Sequence, residues 1–240
     1  MLSKINFSLR NNENLRHCNW LTYTDAANWT WKETSQASRN DLKSRKEDDE
    51  IYIYDEIGPS FVGFSAADLL AMLPRDNATQ LTVHLNSPGG DVFEGVAIYN
   101  LLQQRGNVTI QIDGLAASIA SVIAMAGDRI VIAEAGQLMI HNPWTVAMGE
   151  AETFRAIADT LDTVKNQIAS VYAARTGIDI VEIATLMNRE TYLSADDAEE
   201  LGFVDFILAN KKGPQQAITK VDYTLLKSKL ALLASRVYKQ

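Results

Sequence analysis

Between Gly114 and Gly127 the chain reads GLAASIASVIAMAG, small and apolar residues with two hydroxyls, Ser118 and Ser121, among them. Few folds can use such a segment. Large side chains are excluded around Ser118, so the backbone can turn sharply there and come close to another chain. A helix that begins at this serine aims unpaired N–H groups and a partial positive charge at whatever lies beside the hydroxyl. His141 follows in LMIHNP (Leu138–Pro143). An imidazole on a nearby strand can take the serine's proton, as nucleophilic acyl transfer requires.

The surrounding pattern predicts where that helix sits. Ile51–Ile57 (IYIYDEI) alternates and reads as a strand. Ser65-Ala-Ala-Asp68 is a capping-box start to a short helix through Leu73. Leu81–Asn86 (LTVHLN) is a buried strand, broken by NSPGGD, and Val92–Gln104 is a helix. Asn107–Asp113 is the next strand, followed by the Ser118 helix. Arg129–Ala133 and Gln137–His141 are two more strands. A long helix is expected from about Glu150 to Arg175, with Phe154, Ile157, Leu161, Val164, Ile168 and Val171 on one apolar stripe. Gly177 stops it. Asp179–Met187 is a shorter helix, Ser194-Ala-Asp-Asp197 opens another with a capping box, and Gly202–Leu208 is a final strand. Strand–loop–helix units in series imply an α/β fold with a largely parallel sheet and right-handed crossovers.

The ends differ from this middle. Residues 1–50 are polar, close on the charged run KSRKEDDE, and carry Trp20, Trp29 and Trp31, which predicts a variable N-terminal arm with some structure. Residues 51–209 are the expected α/β domain. Residues 210–240 hold the linker Lys211–Pro214 and a terminal helix over Tyr223–Tyr238. A formal net charge of −8 argues against a nucleic-acid partner, because phosphate binding needs a basic face. Cys18 is the one cysteine, so no internal disulfide is possible and a reducing compartment is expected. MLSKINFSLRNN lacks the apolar core of a secretory signal, and Leu115–Ala126 is far short of the roughly 20 residues that span a bilayer. A cytoplasmic chain with no membrane partner is the expectation.

Two glycine-containing loops should meet at the chemistry. NSPGG (Asn86–Gly90) and GLAAS (Gly114–Ser118) both leave the carboxyl ends of neighbouring strands, where α/β sheets bind ligands. The N–H of Gly90 and that of Ile119 are the natural pair of donors for an oxyanion. His17 lies in the polar arm and His84 sits mid-strand between Val83 and Leu85, where packing is its expected role. No Cys/His cluster accompanies the three histidines, so neither a metal nor another cofactor is expected. A third group to orient the imidazole should come from Asn188–Gly202. Glu190 is a candidate there, whereas Asp196, Asp197, Glu199 and Glu200 read as helix-start and surface charges. Ser121 is the rival nucleophile, placed a turn into the helix where it should pack inward.

NSPGG, GVAIYNLL, GLAAS, LMIHNP and TYLSADDAEELGFVD, in that order, resemble the Clp protease proteolytic-subunit (ClpP) family of serine peptidases. Over GLAASIASVIAMAGD and LMIHNPW the chain is most similar to its phage-associated branch, the head-maturation (prohead) proteases. The resemblance spans roughly Ile51–Leu208. It implies a ClpP/crotonase-like spiral of repeated β-β-α units with a protruding handle helix at about 150–175. It implies Ser118 as nucleophile, His141 as general base, Glu190 as third member, and Gly90 and Ile119 as oxyanion donors. Gly89, Asn142, Pro143 and Trp144 become substrate-binding positions, with Asn142–Glu150 running beside bound peptide as an extra strand. Glu190 is a departure, because the broader family has aspartate there and glutamate is one methylene longer. The implied activity is endoproteolysis in capsid maturation, on a peptide or protein substrate such as a capsid or scaffold protein, by homo-oligomeric rings. Surfaces for an ATP-dependent unfoldase are not matched in this chain. The competing readings are a crotonase-type acyl-CoA enzyme, which needs the two N–H donors but no Ser–His pair, and a non-catalytic assembly protein.

Overall fold

Two strands with apolar residues at every second position pair in parallel at the centre of the molecule, and the rest is built outward from them. The computed structural model describes residues 49–60 and 63–209. The expected arm up to residue 48, the Lys211–Pro214 linker and the Tyr223–Tyr238 helix lie outside these residues. The central pair is β2 (Leu81–Ser87) and β3 (Val108–Ala117), in register from Leu81 opposite Val108 to Leu85 opposite Ile112. β1 (Glu50–Ile53) adds to β2, β4 (Arg129–Ala133) to β3, and β7 (Phe206–Leu208) to β4, every pairing parallel. Two further strands complete a 7-stranded sheet. β5 (Gln137–Ile140) runs parallel to the far end of β3, and β6 (Thr191–Ser194) runs antiparallel to β5.

β3 is what forks the sheet. Its first half, Thr109–Ile112, pairs with β4, while Leu115–Ala117 pairs with β5. Between them the β2–β3 register slips: Leu85 faces Ile112, but Ser87 faces Ala116. The extra residues on β3 form a bulge that re-aims the strand end toward β5. Asn86 secures it, its side-chain Oδ1 accepting from Leu115 N–H at 3.0 Å. The sequence pattern ends this strand at Asp113, because Gly and Ala are poor strand formers. The structure carries it on to Ala117, since the small side chains are needed in the crowded fork, where Ala116 and Ala117 are fully buried.

Six helices follow among the described residues: α1 (Ala66–Met72), α2 (Val92–Arg105), α3 (Ile119–Ala124), α4 (Ala151–Thr176), α5 (Ile180–Asn188) and α6 (Ala195–Glu200). Both expected capping boxes form, Ser65 with Asp68 on α1 and Ser194 with Asp197 on α6. α3 is buried at every position. It packs against α2, with Leu81, Val83, Leu85, Val108, Ile110, Ile112, Ile130 and Ile132 in the same core. The alternate residues of β2 and β3 are only half-buried, and His84 belongs to that polar set. Its Nδ1 lies 2.7 Å from Asp113, and its ring stacks on Tyr52 at 4.3 Å. The mid-strand packing role expected for His84 fits these contacts.

α4 is 26 residues, about 39 Å at 1.5 Å per residue. Gly177, at φ 71°, ends it where expected. Its buried residues, Val164, Ile168, Ala169 and Tyr172, all lie in the second half. Of the expected stripe, Ile157, Leu161 and Val171 are half-buried and Phe154 is exposed. Three other expectations change. The strand expected over Ile51–Ile57 stops at Ile53, and Ile57 instead bridges Phe64 and Gly90. The final strand shortens to Phe206–Leu208. β6, where the sequence pattern predicts no strand, pairs with β5.

Candidate active site

The register of β3 and β5 dictates the meeting of Ser118 and His141. Ala117 pairs with Met139, so the two chains leave the sheet side by side, Ser118 at once and His141 after Ile140. Ser118 N–H donates to the Met139 carbonyl at 3.0 Å and ties the two exits together. His141 Nε2 then lies 2.7 Å from Ser118 Oγ, hydrogen-bond distance for proton transfer. Ser118 is the N-cap of α3, at φ 54° and ψ −129°. A non-glycine residue there costs on the order of 1–3 kcal/mol and persists only when its surroundings over-determine it.

The NSPGG loop is pressed onto this elbow. Gly89 sits at φ 94°, and a Cβ built there would lie 2.7 Å from both the Ala117 carbonyl and Ser118 Cβ, and 3.1 Å from Ile119 N. Only glycine allows the approach. The Gly89 carbonyl accepts from Ile57 N–H at 2.7 Å, and Asp91 N–H donates back to Ile57 at 2.8 Å. Those bonds fix the loop and leave the Gly90 N–H outside them. Neither Gly90 N–H nor Ile119 N–H has a hydrogen-bond acceptor among the described residues. Gly95 supports the same corner from α2: a Cβ there would collide with the Ile119 side chain.

Burial holds His141 below the ordinary imidazole value of 6.5, while the charge of Glu190 pulls it back up. The resting ring is therefore biased toward its neutral, proton-accepting form. Glu190 occupies the turn between α5 and β6 at φ 50°. Among the described residues its carboxylate takes a hydrogen bond from the Tyr192 hydroxyl at 3.4 Å, and its influence on His141 is through charge. Asn142 Nδ2 donates to Asn188 Oδ1 at 2.9 Å, and Lys165 Nζ donates to the same oxygen at 2.8 Å. Pro143 is half-buried and Trp144 exposed, on a stretch from Asn142 to Glu150 with no regular structure. Ser121, the rival nucleophile, is fully buried and bonded to Tyr172 and to the Ser118 carbonyl. Sequence reasoning missed Tyr172 and Asn188. The signal for Tyr172 was Ser121 itself, because a hydroxyl on an all-buried helix must find a polar partner.

A family model described as Clp protease matches residues 34–211, most of the chain. The chain belongs to the Clp protease family. Among curated relatives, an ATP-dependent Clp protease proteolytic subunit of Pleurastrum terricola is 31% identical over 166 residues, covering 67% of this chain and 84% of that protein. The protein of the same name from Chlorella vulgaris is 29% identical over 161 residues, covering 66% and 78%. ATP-dependent Clp protease proteolytic subunit 3 of Rhodococcus jostii (strain RHA1) is 29% identical over 164 residues, covering 67% and 81%. This Clp-family peptidase has, among its described residues, no helix long and apolar enough to cross a membrane. Its described residues also hold no group of three or more His, Cys, Asp or Glu placed to bind a metal.

Proposed function

We propose that this peptidase is a serine endopeptidase in which Ser118 is the nucleophile and His141 the general base. The 2.7 Å approach of His141 Nε2 to Ser118 Oγ carries the reading. Ser118 Oγ attacks a peptide carbonyl as its proton passes to Nε2. The tetrahedral oxyanion is received by the amide hydrogens of Gly90 and Ile119. His141 then returns the proton to the departing amine, leaving an acyl-enzyme ester. Water, deprotonated by the same nitrogen, hydrolyses that ester and regenerates the serine. Glu190 stabilises the imidazolium by its charge. Gly89, Asn142, Pro143 and Trp144 line the path of the substrate, which lies along the irregular segment after His141. A crotonase-type acyl-CoA reaction has no use for a serine bonded to a histidine, and no observation favours it.

The biological role we infer is capsid maturation, on a capsid or scaffold protein, in host cytoplasm. The resemblance of the Ser118 and His141 segments to phage head-maturation proteases supports it. The peptidase is one domain over residues 51–209 that assembles into homo-oligomeric rings through α4, whose first half has no fully buried residue among the described ones. Hydrolysis of a fluorogenic peptide by the wild type and its loss in Ser118→Ala test the chemistry. Co-expression with phage capsid and scaffold proteins tests the role. Shortening of either that depends on Ser118 supports it, and their survival intact beside an active peptidase rejects it.

A further inference from the structure

Ser121 and Tyr172 stand behind the elbow rather than in the reaction. Both are essentially inaccessible, at 0% and 1% exposure. Ser121 Oγ donates to the Ser118 carbonyl at 2.5 Å, and the Tyr172 hydroxyl lies 2.7 Å from the same Oγ. A hydroxyl has one hydrogen, and a carbonyl can only accept. Ser121 has therefore committed its proton to Ser118, and Tyr172 must be the donor to Ser121. Burial pushes the Tyr172 phenol far above its ordinary value of 10, so it keeps that proton at any working pH. The Ser118 carbonyl also receives the Ser121 N–H at 3.0 Å.

The consequence lies on the other side of one peptide bond. The Ser118 carbonyl and the Ile119 N–H belong to a single planar trans unit and point in opposite directions. Anchoring the oxygen into the buried face of α3 aims the Ile119 hydrogen away from it. The backbone at Ser118 is in a sparsely populated region, φ 54° and ψ −129°, from which an unanchored peptide relaxes by rotating.

We propose that Tyr172 and Ser121 are positioning residues, a two-hydroxyl relay from α4 that holds the Ile119 amide in place as an oxyanion donor. The relay rests on the acyl-transfer reading above. It joins the elbow to the long helix, where Tyr172 is itself wedged edge-on against Phe203 at 5.7 Å.

The test compares Ser121→Ala, Tyr172→Phe, the double variant and Ser121→Thr in the full chain. It measures kcat and KM on a fluorogenic peptide, and inhibition by a peptide aldehyde, whose hemiacetal oxyanion needs the same donors. Loss of a whole oxyanion donor costs on the order of 10²–10³ in rate, so loosening one should cost about tenfold. Ser121→Ala is expected to lower kcat and aldehyde affinity by that factor together, with KM within about twofold. Tyr172→Phe, which keeps the ring packing and is the variant surest to fold, should lower both about threefold. The double variant should match Ser121→Ala, because the two groups act in series. Ser121→Thr, which keeps a hydroxyl, should recover most of the activity. Aldehyde affinity unchanged in both single variants overturns the relay, as does a kcat loss that leaves it unchanged. If the wild type ignores the aldehyde and Ser118→Ala keeps its turnover, the acyl-transfer reading falls and takes the relay with it.

Discussion

Gly89→Ala probes the closest backbone approach in the site, and its cost can be worked from the structure. At φ 94° an L side chain costs roughly 1–2 kcal/mol in backbone strain alone. The added methyl would also sit 2.7 Å from Ser118 Cβ and from the Ala117 carbonyl, where ordinary contact begins at 3.4 Å. Something must retreat by about 0.7 Å. The loop cannot easily yield, since Gly89 and Asp91 are both bonded to Ile57. The elbow gives instead, and Ser118 Oγ leaves its 2.7 Å contact with His141. A misplacement near 1 Å can cost about 10²-fold, so kcat/KM should fall roughly 30-fold. Strain and clash together should remove about 2–3 kcal/mol, within the stability of an ordinary domain. The assay is peptide hydrolysis beside urea denaturation, with Gly106→Ala as control. Gly106 has a positive φ of 63° but open space around it, so strain acts there without a clash. The control should lose about 1 kcal/mol and keep full activity. A Gly89→Ala enzyme within threefold of wild type would show that the two loops do not set the elbow.

The acid limb of kcat/KM against pH should lie below 6.5, because burial favours the neutral His141 that must accept the proton. In Glu190→Gln the upward pull on that ring is gone, so the limb should move further to acid while the maximal rate drops. A limb that moves toward neutral pH instead would contradict the charge coupling. Ser194→Ala removes the hydroxyl that accepts from Asp197 N–H at 3.2 Å and should cost about 1 kcal/mol by denaturation with kcat unchanged. A loss of activity out of proportion to stability would mean that α6 does more than close the sheet edge.

Much of this site could be read from side-chain type and order alone. Ser118, His141 and the glycine loop stand out because each violates what packing would choose at its position. The helices were legible from their caps, and Ser65, Ser194 and Gly177 set boundaries to within a residue or so. What escaped was set by tertiary partners. Leu115, Ala116 and Ala117 continue the strand because β5 arrives beside them. Thr191–Ser194 is too short to show a period, and becomes a strand by pairing with β5. Tyr172 lies one residue past Val171, the position the apolar stripe selected, and its hydroxyl matters only because Ser121 faces it from another helix.

The most direct measurement is covalent labelling of the intact protein with a fluorophosphonate, read by mass spectrometry of its peptides across pH. One adduct on Ser118 is expected, formed faster as His141 loses its proton, and abolished by Ser118→Ala. His141→Ala should slow it by orders of magnitude without unfolding the chain. Labelling on Ser121, or labelling of Ser118 that His141→Ala leaves untouched, would contradict the account.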